Sequence, residues 1–177
     1  MNLEIQGDNT SPTVEVSIQD PQWEQLQGNI NKIVNATITT TLSQAILPRE
    51  ALDKALEISI VLANDDLVHV LNREYRDKDK PTNVLTFATL DSDEPITDGP
   101  LNLGDVILAY ETIRAEATDQ GKFILDHLKH LIVHGVLHLL GYDHQTEEEA
   151  TDMETLEIRI LERLGVQNPY IDGTDVI

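Results

Sequence analysis

The stretch "LIVHGVLHLLGYDH", residues 131–144, holds three of the chain's six histidines: His134, His138 and His144. Histidines four residues apart lie one turn apart on the same helix face. The imidazole nitrogens of His134 and His138 can therefore meet one metal ion at about 2.0–2.1 Å each. A third ligand must come from off the helix. Gly141 can end the helix in the left-handed conformation at little steric cost, after which the chain turns back and brings His144 in from another direction. Three neutral nitrogens with a fourth position open is the arrangement of catalytic rather than structural zinc. A lone histidine would be read as a packed or surface residue, but three at this spacing point to a metal. Zinc, one per chain, is the expected ion, and nickel, copper or iron are compatible with the same ligands. Asp143 is placed to orient a ligand from behind.

Three further histidines are expected outside the metal shell. His127 and His130 continue the helical stripe upstream and read as hydrogen-bonded helix residues, His130 within reach of substrate or an ordered water. His69 reads as a surface or packing residue. Gly135 is the informative departure. The spacing His-x3-His-x2-Gly-x2-His matches the zinc site of metzincin peptidases, and Met153 follows downstream. Those enzymes carry a glutamate as general base directly after the first histidine. Gly135 has no side chain to take a proton, which speaks against a peptidase mechanism of that kind.

A second cluster is basic. Arg73, Arg76, Lys78 and Lys80 are four of only 12 Lys and Arg residues, against 32 acidic ones, in a chain of formal charge −20. That global charge opposes DNA, generic nucleic acid or an anionic membrane as partners. A local basic patch can still serve an anionic substrate, although Lys78 and Lys80 alternate with Asp77 and Asp79 as solvated loop charges do.

The elements that must position these residues follow from periodicity. "TVEVSI" (13–18) alternates like a strand. Trp23, Leu26, Ile30, Ile33, Val34 and Thr37 recur at helical spacing, weakened by "TITTTL" and ended by Pro48, with a short helix expected over 49–55. "LEISIVLA" (56–63) is a strand, and Asn64 caps a helix over 65–75. "RDKDKPTN" (76–83) is a polar loop. Strands follow at 84–90 and 104–110, separated by the turn-rich "DSDEPITDGPLNL". Helices are expected over 111–119, 123–140 and 147–164, the last opened by a Thr146–Glu149 capping box. The expected fold is mixed α/β (α+β): one domain, 1–177, with a sheet of about four strands packed by helices. Its metal site lies on a helix of the C-terminal half, in the manner of a metalloprotease catalytic domain. Residues 1–12 and 166–177 are expected to be peripheral.

Length and composition agree with one globular domain. The absence of cysteine excludes disulfides, thiolate metal ligands and a cysteine nucleophile. The amino terminus lacks the features of a signal peptide, and no apolar run is long enough to span a bilayer, so a cytoplasmic location is expected.

"HGVLHLLGYDH" (134–144), "LNREYRDKDKPTNVLTF" (71–87) and "LGDVIL" (103–108) together resemble the YbeY family of metal-dependent endoribonucleases, the rRNA maturation factors. The blocks stand in the expected order over about residues 56–165. The chain departs before residue 56, where the segment with "TITTTLSQAILPRE" is longer than in compact members. The resemblance implies a single-strand-specific endoribonuclease acting in 16S rRNA 3′-end maturation and ribosome quality control. It implies metal ligation by His134, His138 and His144, and a functional role for Arg76. The partners would be single-stranded RNA, above all rRNA, and the ribosome or ribosomal proteins. Aromatic residues are scarce, at 4%, so few rings are available for base stacking. Together with the negative charge, this places specificity with a partner. Two other readings stand beside it: a metzincin-like zinc peptidase, and a ribosome-associated metal-stabilised module of weak catalysis. The proton acceptor is open among a metal-bound water, Asp143, Asp105 and His130, and the attacking group could be the RNA's own 2′-hydroxyl.

Overall fold

The structure is a computed structural model, and it describes residues 11–171. The stretches 1–10 and 172–177, which hold most of the expected peripheral ends, lie outside the described residues. Four strands form one sheet: β1 (Thr13–Ile18), β2 (Leu56–Ala63), β3 (Val84–Ala88) and β4 (Leu101–Ala109). Five helices accompany them: α1 (Ile30–Gln44), α2 (Asp65–Arg76), α3 (Tyr110–Asp119), α4 (Ile124–Leu139) and α5 (Glu147–Arg163). The sheet order is β1-β2-β4-β3. β1, β2 and β4 are parallel, and β3 runs antiparallel to β4 at the edge. This is the mixed α/β fold the sequence leads one to expect.

Alternation along the strands divides the core. Ile58, Ile60 and Leu62 of β2, with Val106 and Leu108 of β4, face a large core shared with α1, α4 and α5. Val61, Leu85, Phe87 and Ile107 face the other way, where α2 supplies Val68 and Leu71. α4 is buried nearly all round from Leu128 onward because it is enclosed by the sheet and by α1, α3 and α5.

Several boundaries differ from the periodic reading. The helix expected from Trp23 onward is broken. Residues 21–25 form a separate 3₁₀ turn, pinned by the Trp23 indole N–H donating to the Ala63 carbonyl at 2.8 Å. α1 starts afresh behind the Asn29 cap. It then runs through the threonines that were expected to weaken it. The hydroxyls of Thr37 and Thr41 donate to the carbonyls of Ile33 and Thr37, at 2.7 Å each. These bonds satisfy polar groups that α1 buries, while Val34 and Ile38 supply the packing that overrides propensity. The helix expected over 49–55 shrinks to a 3₁₀ turn at Arg49–Ala51. β3 stops at Ala88 in another such turn, and β4 begins at Leu101.

Gly135 explains how closely α4 approaches the sheet. A Cβ placed there would lie 2.9 Å from Val106 Cγ1 of β4 and 3.2 Å from Thr86 Cγ2 of β3. Both neighbours are short, β-branched and held in the sheet, so neither can swing aside. The position after the first histidine thus has no room for a glutamate, nor comfortably for any side chain. Gly135→Ala is expected to lower stability by about 1–2 kcal/mol, overpacking outweighing the gain in helix propensity. Urea unfolding measures this, and an unchanged or raised midpoint would contradict the close approach.

Candidate metal centre

Helix α4 carries His134 and His138 on one face, and its end delivers His144. Gly141 has φ +96°. The Gly141 N–H donates to the His138 carbonyl and the Tyr142 N–H to the Leu137 carbonyl, both at 3.0 Å. Those two bonds are the Schellman pattern expected of a glycine stop. The loop that follows is tied to the long segment after α1. The Ile46 N–H donates to the Tyr142 hydroxyl at 3.0 Å. One ligand nitrogen from each of His134, His138 and His144 lies within 4.8 Å of the other two. Among the described residues this is the single group of histidine, aspartate and glutamate side chains so arranged.

Hydrogen bonding fixes which nitrogens face inward. His138 Nδ1 lies 2.9 Å from the Tyr142 carbonyl oxygen, which can only accept, so Nδ1 carries the proton. His134 Nδ1 lies 2.6 Å from Glu157 Oε1. Burial pushes the Glu157 carboxyl up, but hydrogen bonds from His130 and His134 more than offset this and hold it down at about 2. Glu157 is therefore a carboxylate at neutral pH, and His134 Nδ1 donates to it. In the neutral rings both Nε2 atoms are then bare lone pairs. They face one another at 2.8 Å. Either a proton or a metal ion can lie between two such nitrogens, and three imidazoles suit a borderline-soft divalent metal. The donor set fits a metal ion.

The same cleft brings in the basic block. A cavity of about 400 Å³ is lined both by His134, His138 and His144 and by Arg76, Lys78 and Lys80. Arg76 is the last residue of α2, and Asp77 behind it turns left-handed at φ 55°. The guanidinium donates to the carbonyls of Thr86 (2.8 Å) and Tyr75 (3.1 Å) and lies 4.8 Å over the Phe87 ring. Its other N–H groups remain for an anion. Buried Asn72 anchors the loop bearing the lysines, its side-chain amide donating to the Lys80 carbonyl at 2.8 Å. No carboxylate is among the residues lining this cleft.

The remaining candidates fall elsewhere. His130 is buried, its Nε2 3.1 Å from Glu157 Oε2, and His127 Nε2 lies 2.7 Å from Glu116 Oε2. His69 pairs with Asp79 at the surface, at 2.7 Å. Asp143 Oδ1 accepts the backbone N–H of His144 at 2.8 Å, steadying the loop that carries His144. Neither Asp105 nor His130 lines the cleft. Sequence reasoning missed Glu157 and Asn72. The signal for Glu157 was available: it occupies the apolar stripe of α5 between Met153 and Ile160 and is fully buried.

A histidine cluster facing a guanidinium and two ammonium groups is the equipment of a metal-dependent hydrolase for a phosphate-bearing substrate. Comparison with known proteins agrees. Residues 17–165 match the family model described as Endoribonuclease YbeY. A protein named Endoribonuclease YbeY from Paramagnetospirillum magneticum is 50% identical over 159 residues, spanning 89% of this chain and 94% of that protein. One from Sinorhizobium fredii is 40% identical over 166 residues, covering 92% and 94% of the two chains. The solution structure of TM1509 from Thermotoga maritima has the same fold, with a TM-score of 0.53 at 19% identity over 86% of this chain and 92% of that one. The chain belongs to the YbeY endoribonuclease family. The peptidase alternative is not favoured, by family and by the closed space at Gly135 alike.

His138 gives the site a pH signature. Burial first, then the neighbouring His134 and His144, lower its pKa from 6.5 to about 4, although the Tyr142 carbonyl and Asp143 pull the other way. Between those values the unfolded chain binds more protons than the folded one, so stability falls as pH falls from 6.5 towards 4. For a partly exposed ring the effect is discounted to about 1 kcal/mol between pH 6.5 and 5. Metal-free protein should lose that much stability in urea titrations over this range, and His138→Ala should flatten the slope. An equal slope in the variant would contradict the assignment.

Proposed function

We propose that this chain is a metal-dependent endoribonuclease that cuts single-stranded RNA, with rRNA 3′-end maturation and ribosome quality control as its setting. The observation that carries this reading is the shared cleft, in which His134, His138 and His144 face Arg76, Lys78 and Lys80. In it, the three histidines are the metal ligands and Arg76 is the catalytic side chain. Zinc is the ion the three imidazoles suit best, with nickel next. A metal held there supplies Lewis-acid stabilisation to a phosphoryl oxygen or acidifies a water.

The chain's own groups do the rest. Arg76 offers a planar, permanently charged fork that matches phosphate oxygens. Its carbonyl partners and the Phe87 ring hold that fork in place before substrate arrives, so little reorganisation is needed as charge builds on phosphorus. Lys78 and Lys80 receive flanking phosphates. With no carboxylate lining the cleft and its imidazoles engaged as metal ligands, the proton of the attacking hydroxyl leaves towards water. A cleft of about 400 Å³ accepts a phosphate and its neighbours from a splayed strand rather than a duplex. The charge of −20 leaves overall RNA affinity low, which makes the ribosome or its proteins the natural source of specificity. No helix of the described residues is long and apolar enough to cross a membrane.

Arg76→Ala should slow cleavage of a labelled single-stranded RNA by about 10²–10³-fold without unfolding the chain. Arg76→Lys should recover only part of the loss. His138→Ala should abolish cleavage, and none of these proteins should cut a peptide substrate. Cleavage unchanged in both alanine variants would assign the activity to a contaminant.

A further inference from the structure

Glu157 sits behind the histidine cluster with no exposed surface. Its two oxygens have different duties. Oε1 receives the Nδ1 proton of His134 at 2.6 Å. Oε2 receives His130 Nε2 at 3.1 Å and the hydroxyl of Tyr170. His130 and Tyr170 also touch each other, with 3.2 Å between His130 Nε2 and the hydroxyl and the rings packed edge to face at 5.5 Å. Tyr170 belongs to the segment after α5, which is seated by buried Val166. The carboxyl group of a glutamate turns freely about its last torsion unless something stops it. Here Oε2 is pinned from two sides, and that leaves Oε1 aimed at His134.

The aim matters because a neutral imidazole has two tautomers. With its proton on Nδ1, His134 presents a bare Nε2 to the cluster. With its proton on Nε2, it would donate to His138 Nε2, 2.8 Å away, and the two rings would satisfy each other. That closed pair cannot ligate a metal through His134 Nε2. We infer that Glu157 is a positioning residue that holds His134 in its metal-binding tautomer, and that Tyr170 secures Glu157, making the segment after α5 part of the metal site. This rests on the reading of His134, His138 and His144 as metal ligands. A carboxylate behind a ligating histidine also raises the basicity of the inward nitrogen.

The test uses full-length metal-free protein at neutral pH, zinc alone as probe, and a chromophoric chelator as competitor. Glu157→Gln should weaken zinc binding by about 10–100-fold. Nitrogen-15 NMR of labelled histidine should show His134 as the Nδ1–H form in the wild type and moved towards Nε2–H in the variant. A residue that merely filled space would leave that spectrum unchanged. Tyr170→Phe removes one of the two groups on Oε2 and should weaken zinc about threefold or more, which decides the matter if Glu157→Gln does not fold. Zinc affinity and tautomer like the wild type in Glu157→Gln, or unaltered affinity in Tyr170→Phe, would overturn the inference while leaving the metal reading intact. A wild-type chain that binds no zinc would sink the metal reading and this inference with it.

Discussion

Helix α4 rests on β3 and β4 with no side chain between its backbone and the sheet at Gly135. That contact sets the height of the helix above the strands, and hence where His134 and His138 stand. The same strands fix the opposing wall. β3 carries Thr86, whose carbonyl accepts from Arg76, and Phe87, whose ring lies under the guanidinium. The placement of His134, His138 and Arg76 is therefore governed by packing on β3 and β4, whereas Lys78, Lys80 and His144 stand on the loops after α2 and α4. A site built on rigid elements keeps its groups in place before substrate arrives.

Around that frame the charges are arranged in opposition to the chain as a whole. The protein carries a formal charge of −20, yet the cleft is lined by Arg76, Lys78 and Lys80 and by no carboxylate. The acidic groups that approach the histidines do so from behind. Glu157 is buried under His134, and Asp143 spends an oxygen on its neighbour's backbone N–H. A phosphate entering this cleft would meet cations, with Glu157 held out of its way beneath His134. The peptidases that share the histidine spacing do the reverse and place a carboxylate at the front.

Much of this was legible in the sequence where local rules decide. The His134–His138 pair, the Gly141 stop and the Thr146–Glu149 capping box depend on neighbours a few residues away, and each has the geometry its spacing implies. The four-stranded sheet follows from short apolar runs rich in β-branched residues and bounded by turn residues. The failures share a cause: tertiary contacts outweighed local preference. α1 runs through its threonines because the buried hydroxyls find carbonyls and Val34 and Ile38 pack. Trp23 leaves the helical pattern because its indole N–H is needed at Ala63. Gly135 reads in the sequence as a missing carboxylate, but its reason, lack of space against Val106 and Thr86, is visible only with the sheet in place. Glu157 was a charged residue on an apolar stripe, and its three partners lie 13, 23 and 27 residues away along the chain.

Dependence of RNA cleavage on one metal ion, held by His134, His138 and His144 in the cleft that Arg76 also lines, is the core of the proposed function. Its most direct test is a back-titration. Chelated protein receives zinc or nickel in measured fractions of an equivalent while cleavage of single-stranded RNA is followed. No cleavage is expected without metal, and the rate should rise linearly and saturate at one equivalent per chain. Full cleavage by the metal-free chain, or saturation only well beyond one equivalent, would contradict it.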